Sequence, residues 1–363
     1  MVFAQGLAVR GFSPLAIGSL ITVALLSGAL ASAFTGRLVR AFGSRVTMAA
    51  GGVAMVVAAT LLAGNEPAIV FACLLGALSP GAQDVGPFAA IEQVALAAKR
   101  AGTTRRLSWY NVVSAVGVAF GALFAAVVPI LGVLVLYGAA GAVVAFVAMR
   151  LPEIHVAADV PAEPRRLRFG IVERLAALFA LDAFAGGFTV QAFVAYWFSL
   201  RFGVGPETIG PLLFGANLLA AASYLLADRV AGRIGLLNTM VFTHLPSNVL
   251  LCLVPFMPTL PLAAAMLLAR YATSQMDVPT RQAFTLWLVP AHDRARAAGV
   301  TAAVRPAAAS VAPVLTGVAF QFAALGLPFV LSGVLKIAYD LTLFATFRNA
   351  PFVDAGADVE IER

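Results

Sequence analysis

Charge is the scarcest feature of this 363-residue chain, with Asp, Glu, Lys and Arg together making up 11% of it, against about a quarter in soluble domains. That is too little to cover the surfaces of the two soluble domains its length would suggest. A soluble enzyme, a nucleic-acid binder and a disordered chain are all excluded. Lysine is reduced to Lys99 and Lys336, and cysteine to Cys73 and Cys252. Both cysteines sit in apolar runs, so two buried thiols and no disulfide framework are expected. There is no HExxH, no Gly-rich phosphate loop and no Cys/His cluster, so neither an enzymatic activity nor a cofactor or metal is expected. No cleavable leader is expected either, because residues 1–13 hold no long apolar stretch and the first sustained run leads into others.

What the chain does have is apolar length. The hydrophobic fraction is 61% and the mean hydropathy +0.94. Runs exceeding twenty residues exclude an alternating outer-membrane barrel. At about 20 residues per crossing, the sequence predicts eleven membrane helices: 14–35, 46–64, 67–97, 107–128, 130–149, 172–200, 206–227, 235–257, 260–289, 297–323 and 327–347. The segment 67–97 is overlong and is expected to tilt or kink around Pro80, Gly86 and Pro87. The longest polar stretch, 150–171, with Arg165, Arg166 and Arg168, reads as a linker. Alternate loops place eighteen basic residues on one side and only Arg10 and Arg201 on the other. This puts the linker and C-terminus in the cytoplasm and the N-terminus outside, with the chain as a multi-pass protein of the cell membrane. The net charge of +7 is thus an insertion signal.

The chain repeats itself. Gly11, Pro14, Ile17, Gly18 and Leu20 recur as Gly203, Pro206, Ile209, Gly210 and Leu212, an offset of 192. The same offset relates Arg37 to Arg229, Gly43 to Gly235 and Thr47-Met48 to Thr239-Met240. Near Asp84-Val85 and Asp277-Val278 it has drifted to 193. Two half-bundles are expected, 1–150 and 172–348, joined by the linker 151–171 and followed by a tail, 349–363. The second copy has a full crossing before Gly203 while the first has ten residues before Gly11. The first helix of the first half is therefore read as absent.

Two such halves, with a basic loop between the second and third helices of each, resemble the major facilitator superfamily, of a bacterial type. The family's loop reads G-x-x-x-D-R-x-G-R. The first copy here has Gly36, Arg40, Gly43 and Arg45, with Arg40 where the acid belongs, and the second has Asp228, Arg229 and Arg233. The resemblance implies that these residues form cytoplasmic gating loops. It also implies that helices 1, 4, 7 and 10 of the family line a central cavity, and that the fold is all-α with pseudo-symmetric halves.

Charges inside a bilayer cost about 3 kcal/mol each on insertion scales, so each calls for a role. Asp84 and Glu92 fall in 67–97, and Asp182 in 172–200. Arg270, Asp277 and Arg281 fall in 260–289, Arg305 in 297–323, and Lys336 and Asp340 in 327–347. Arg270, Ser274, Asp277 and Arg281 are spaced to share one helical face, and Pro279 is expected to bend that helix. Asp277 with Arg281, and Lys336 with Asp340, stand one turn apart and are expected to pair. Asp182, Thr189 and Tyr196 lie along one stripe, with Gly186-Gly187 beside them as packing or hinge residues. Tyr196-Trp197 reads as an interfacial belt, His244 as a hydrogen-bonded structural histidine, and Gly117-x-x-x-Gly121 as a close-packing face. The candidate substrate and proton pathway is Asp84, Asp182, Thr189, Tyr196, Arg270, Ser274, Asp277 and Arg281. Structural ion pairing is the competing reading of its charges.

The expected function is a secondary active transporter moving a small molecule by alternating access, with protons as coupling ion and export as direction. Uptake or facilitated diffusion of a polar metabolite is the alternative, as is a truncated, non-transporting remnant. The expected partners are a small-molecule substrate, protons and the lipid bilayer, with no nucleic acid, and the protein is expected to be a monomer.

Overall fold

The structure, a computed structural model, describes residues 2–81, 91–92, 103–153, 170–289 and 294–349. Every regular element among these is helical, the form in which a segment in lipid satisfies its own backbone groups. The first half contributes α1 (Val2–Val9), α2 (Pro14–Leu62), α3 (Glu66–Leu74), α4 (Thr103–Val127) and α5 (Ile130–Arg150). The second contributes α6 (Ile171–Gly187), α7 (Gln191–Phe202), α8 (Pro206–Ile234), α9 (Leu236–Leu253), α10 (Leu260–Ser274), α11 (Asp277–Leu288), α12 (Arg294–Ala309), α13 (Ala312–Gln321) and α14 (Leu327–Phe347).

Eight helical stretches among the described residues are long and apolar enough to cross a membrane. They account for nine of the eleven expected crossings, because α2 holds two. At 49 residues a straight helix would run about 74 Å, more than twice a bilayer core of about 30 Å. It breaks at Gly43, whose φ of 83° and ψ of 163° suit only glycine. Gly235, 192 residues on, closes α8 with φ 86° and ψ 160°. The threonine four residues after each glycine donates to that glycine's carbonyl, Thr47 at 2.8 Å and Thr239 at 2.8 Å. The internal repeat is thus written in the backbone as well as in the sequence.

The remaining two crossings differ for separate reasons. Most of 67–97, including Asp84, Gly86 and Pro87, lies outside the described residues; the helix that opens it ends at Leu74, and residues 91 and 92 are helical again. The segment 260–289 is two helices, interrupted at Gln275-Met276. Pro279 causes the break without sitting in it. It occupies the first turn of α11, where a missing N–H costs nothing, so the helix stops just upstream.

The halves meet along two matching seams. A Cβ on Gly18 of α2 would come within 2.6 Å of the Pro313 carbonyl and 2.9 Å of Gly317 Cα on α13. Its repeat mate Gly210, on α8, faces the Ala122 carbonyl of α4 at 2.7 Å. Thr22 reinforces the first seam by accepting from the Val314 N–H at 3.0 Å. Both seams lie at the end that carries Arg10 and Arg201. Gly117 and Gly121 take no part, since among the described residues nothing outside their own helix lies within 4 Å of a Cβ placed on either. The face of α4 used for close approach is instead the one bearing Ala122 and Ala126. The interfacial belt expected at Tyr196-Trp197 is core: Trp197 is 1% exposed, with Phe198, Phe202 and Phe329 around its ring.

Candidate functional site

The polar heart of the second half is one carboxylate. Asp182, on α6, is 3% exposed. Its Oδ1 accepts from Lys336 Nζ of α14 at 2.6 Å. Its Oδ2 accepts from Arg305 Nη1 of α12 at 3.1 Å and Arg281 Nη1 of α11 at 3.3 Å. The same Arg281 nitrogen donates to Asp277 Oδ2 at 2.6 Å, closing the expected one-turn pair, and the guanidinium lies over the Phe179 ring, 5.7 Å from its centroid. Four helices are tied to a single buried anion. Taking charges out of water is repaid only when partners and hydrogen bonds surround them, and here they do.

A second polar cluster adjoins the first. Asp340, one turn after Lys336, accepts from Asn248 Nδ2 at 2.9 Å and contacts His244 Nδ1 at 2.9 Å. The expected Lys336–Asp340 pair does not form. Both lie on the buried face of α14, but Lys336 reaches α6 while Asp340 reaches α9, because each finds a partner there. His244 is 3% exposed and hydrogen-bonded.

The helix that positions Asp182 is itself interrupted. Between Gly187 and Gln191 the chain leaves helical geometry, and the freed carbonyls find hydroxyl donors on neighbouring helices. Ser332 donates to Ala185 at 2.7 Å and Thr316 to Phe188 at 2.9 Å. Ser332 also meets the Thr189 hydroxyl at 3.2 Å. Gly187 brings the break against α12, where a Cβ would press on the Ala309 carbonyl and come within 2.9 Å of Ala312. Such repair is what an irregular segment within a membrane helix requires.

The expected pathway residues therefore divide. Asp182, Asp277 and Arg281 are brought together. Arg270 stacks over Tyr271 at 5.4 Å, and its Nε finds no acceptor among the described residues. Ser274 is 3% exposed at the end of α10 and takes a bond from Gln275 Nε2 at 3.4 Å. The break at Gln275-Met276 puts Arg270 and Ser274 on a different helix from Asp277 and Arg281, so the four do not lie on one continuous helix. Thr189 belongs to the break, and Tyr196 to the aromatic core beside Phe320, with ring centroids 6.0 Å apart. Asp84 lies outside the described residues. The sequence reading placed neither Arg305 nor Lys336 in the pathway. Their signal was available as basic residues inside apolar runs, with no acid on Arg305's own helix to neutralise it.

Of the residues expected in cytoplasmic gating loops, Gly36 and Arg40 lie within α2, half-buried and exposed, and Asp228, Arg229 and Arg233 lie exposed within α8. The acid missing from the first loop is supplied from elsewhere. Glu153, after α5, receives the Ser44 N–H just past Gly43, the Ser44 hydroxyl at 3.0 Å and the Arg45 guanidinium at 3.5 Å. The Ser44 N–H, foremost, holds the Glu153 carboxyl below its usual range. Cys73 is buried, whereas Cys252, expected to be buried, is half-buried beside Gly333.

Comparison with known proteins agrees with this architecture. The human organic anion transporter TETRAN is 16% identical and superposes with a TM-score of 0.69, covering 91% of this chain and 84% of that one. A D-xylose-proton symporter is 14% identical, with a TM-score of 0.68 over 94% and 90% of the two chains. The nucleoside transporter NupG is 12% identical, with a TM-score of 0.72 over 95% and 94%. These likenesses show the fold. A Saccharomyces cerevisiae membrane protein described as uncharacterized is 27% identical over 194 residues, 53% of this chain, and the match spans 42% of that protein's length. The sequence profile of one family covers residues 2–313, and by that match the chain belongs to the Major Facilitator Superfamily, whose members are secondary transporters of small molecules and not enzymes.

Proposed function

We propose that the chain is a proton-coupled secondary transporter in which the halves 1–150 and 172–348 rock about a site centred on Asp182, with export of a small molecule as the direction and uptake as its alternative. The observation that carries this reading is the Asp182 hub, a buried carboxylate that holds cations from three other helices. Such a group has two states. Ionised, it clamps α6, α11, α12 and α14 together; protonated, it releases them, and like charges then push apart. Asp277 and Asp84 are the companion carriers. The seams at Gly18 and Gly210 support a form shut at the Arg10 and Arg201 end, with the cytoplasm on the opposite side. One fold relative is by name a proton symporter, so the fold accommodates proton coupling.

The test is flux in proteoliposomes with an imposed pH gradient. Substrate movement should follow the gradient in the wild type. Asp182→Asn should remove that dependence while leaving substrate exchange at equal pH measurable. Wild-type flux indifferent to the gradient would overturn the coupling, and its sign separates export from uptake.

A further inference from the structure

In the second half, α6 and the break that follows it lie in a groove between two walls. One wall is α12 and α13. There Arg305 donates to Asp182 at 3.1 Å, Ala309 and Ala312 take the close approach of Gly187, and Thr316 donates to the Phe188 carbonyl at 2.9 Å. The other wall is α14, where Ser332 donates to Ala185 at 2.7 Å and Lys336 to Asp182 at 2.6 Å.

The 192-residue offset carries each of these positions into the first half. The register holds as far as the last helix of each half. Gly141 and Gly333, 192 residues apart, each press on a backbone carbonyl of a neighbouring helix, Gly52 at 2.6 Å and Asn248 at 2.8 Å from a notional Cβ. On α4 the mates of Arg305, Ala309, Ala312 and Thr316 are Val113, Gly117, Phe120 and Phe124, which share one helical stripe. Val113 is 67% exposed and Phe124 53%. Phe120 is 56% exposed even though its ring meets that of Phe214 at 5.5 Å. Gly117 is exposed as well. On α5 the mates of Ser332 and Lys336 are Ala140, exposed, and Val144, half-buried. Both walls are therefore present in the first half, and the wall on α4 is uncovered along its whole stripe.

The chemistry of the two grooves differs. The four polar side chains that hold α6, Arg305, Thr316, Ser332 and Lys336, are replaced by Val113, Phe124, Ala140 and Val144. An acid such as Asp182 would find no cation among these mates. Gly117 and Gly121 stand one turn apart on the open stripe. A glycine inside a helix loosens it, and lipid gives nothing in return. A second helix does, because small residues let two backbones approach closely. We infer that this groove receives a partner transmembrane helix, about as long as the 17 residues of α6, uncharged along its span and turning small residues toward Gly117 and Gly121. A second copy of this chain would bring the same groove, and two grooves face to face leave both unfilled. The partner helix completes the first half as α6 completes the second, whichever ion drives transport.

The experiment uses the full chain in phosphatidylcholine nanodiscs, with Cys73→Ala and Cys252→Ala removing the native thiols. A single cysteine is placed in the groove by Val113→Cys or Phe124→Cys, or on the exposed side of α14 by Val334→Cys, where the native side chain is 52% exposed. The probes are two synthetic helices of leucine and alanine, each about 20 residues long, with lysines at both ends and one cysteine at matching depth. One carries glycine at every fourth position of a face, and the other carries leucine there. The glycine-faced probe should form its disulfide at Val113→Cys and Phe124→Cys at least tenfold faster than at Val334→Cys, and should raise the unfolding temperature. The leucine-faced probe should lack that advantage. So should the glycine-faced probe on Gly117→Ile, a change made in open space that alters the groove alone. Equal rates at the three positions, equal rates for the two probes, or no reaction would overturn the inference. Disulfides joining two copies of the chain through Val113→Cys would also overturn it and assign the face to a homodimer.

Discussion

The last helix of each half, α5 and α14, has the same length of 21 residues and the same rank in the repeat, yet the two sit differently. In α5 only Gly141 and Ala148 are buried. In α14 a continuous face is buried, from Pro328 and Phe329 through Lys336, Tyr339 and Asp340 to Phe347. The difference is in the side chains. Before Arg150, α5 carries no charge, and it is held to the second arm of α2 by small residues, with Gly141 against the Gly52 carbonyl at 2.6 Å from a notional Cβ. Apolar helices have no reason to prefer each other to lipid beyond close packing. Lys336 and Asp340 do have a reason, because lipid offers them no partner. Two charges thus draw a peripheral helix into the core of its half.

Removing the charge at the centre of that arrangement should have the largest effect. Asp182→Ala leaves Lys336, Arg281 and Arg305 without their shared acceptor. It should cost about 3–5 kcal/mol, read as a large drop in thermal unfolding temperature in detergent, with loss of gradient-driven flux. A stable Asp182→Ala protein would mean that α14 is held by its apolar face alone, as α5 is. The converse probe is Gly141→Val, which forces a branched side chain onto the Gly52 backbone. Overpacking of this kind should cost about 1–3 kcal/mol, and α5 should loosen without changing the pH dependence of transport.

The smallest effect belongs to Glu153, beyond the end of α5, where the chain reaches back to Ser44 and Arg45. Its carboxyl is held below the usual glutamate range, chiefly by the Ser44 N–H, so the ionised form is the one the fold prefers. Its contribution is present above the unfolded-state value and is lost as pH falls through the lowered folded value. The stability difference between wild type and Glu153→Gln should therefore be visible at neutral pH and close on acidification. A difference that persists in acid would assign it to packing.

The scaffold was legible in the sequence because the bilayer imposes it. Apolar run lengths gave nine of the eleven expected crossings among the described residues, and the 192-residue offset between Gly43 and Gly235 marked two like backbone turns in advance. The site was legible in part. Asp277 and Arg281 could be paired because one helical turn is a local relation. Spacing along a chain says nothing about which helices face one another, so Lys336 was assigned to its own neighbour Asp340, and Arg305 was left out of the pathway. Thr189 and Tyr196 shared a stripe with Asp182 only for as long as 172–200 was taken as continuous. The break at 188–190 carried no proline to announce it.

That break separates two kinds of work. The rod before it, α6, carries the ionic load; the rod after it, α7, carries Trp197 and Phe198 and rests against α1, where Gln5 donates to Ser199 at 2.6 Å. In the rocking cycle proposed above, a joint at this point lets the aromatic rod change its angle independently of the ionic one.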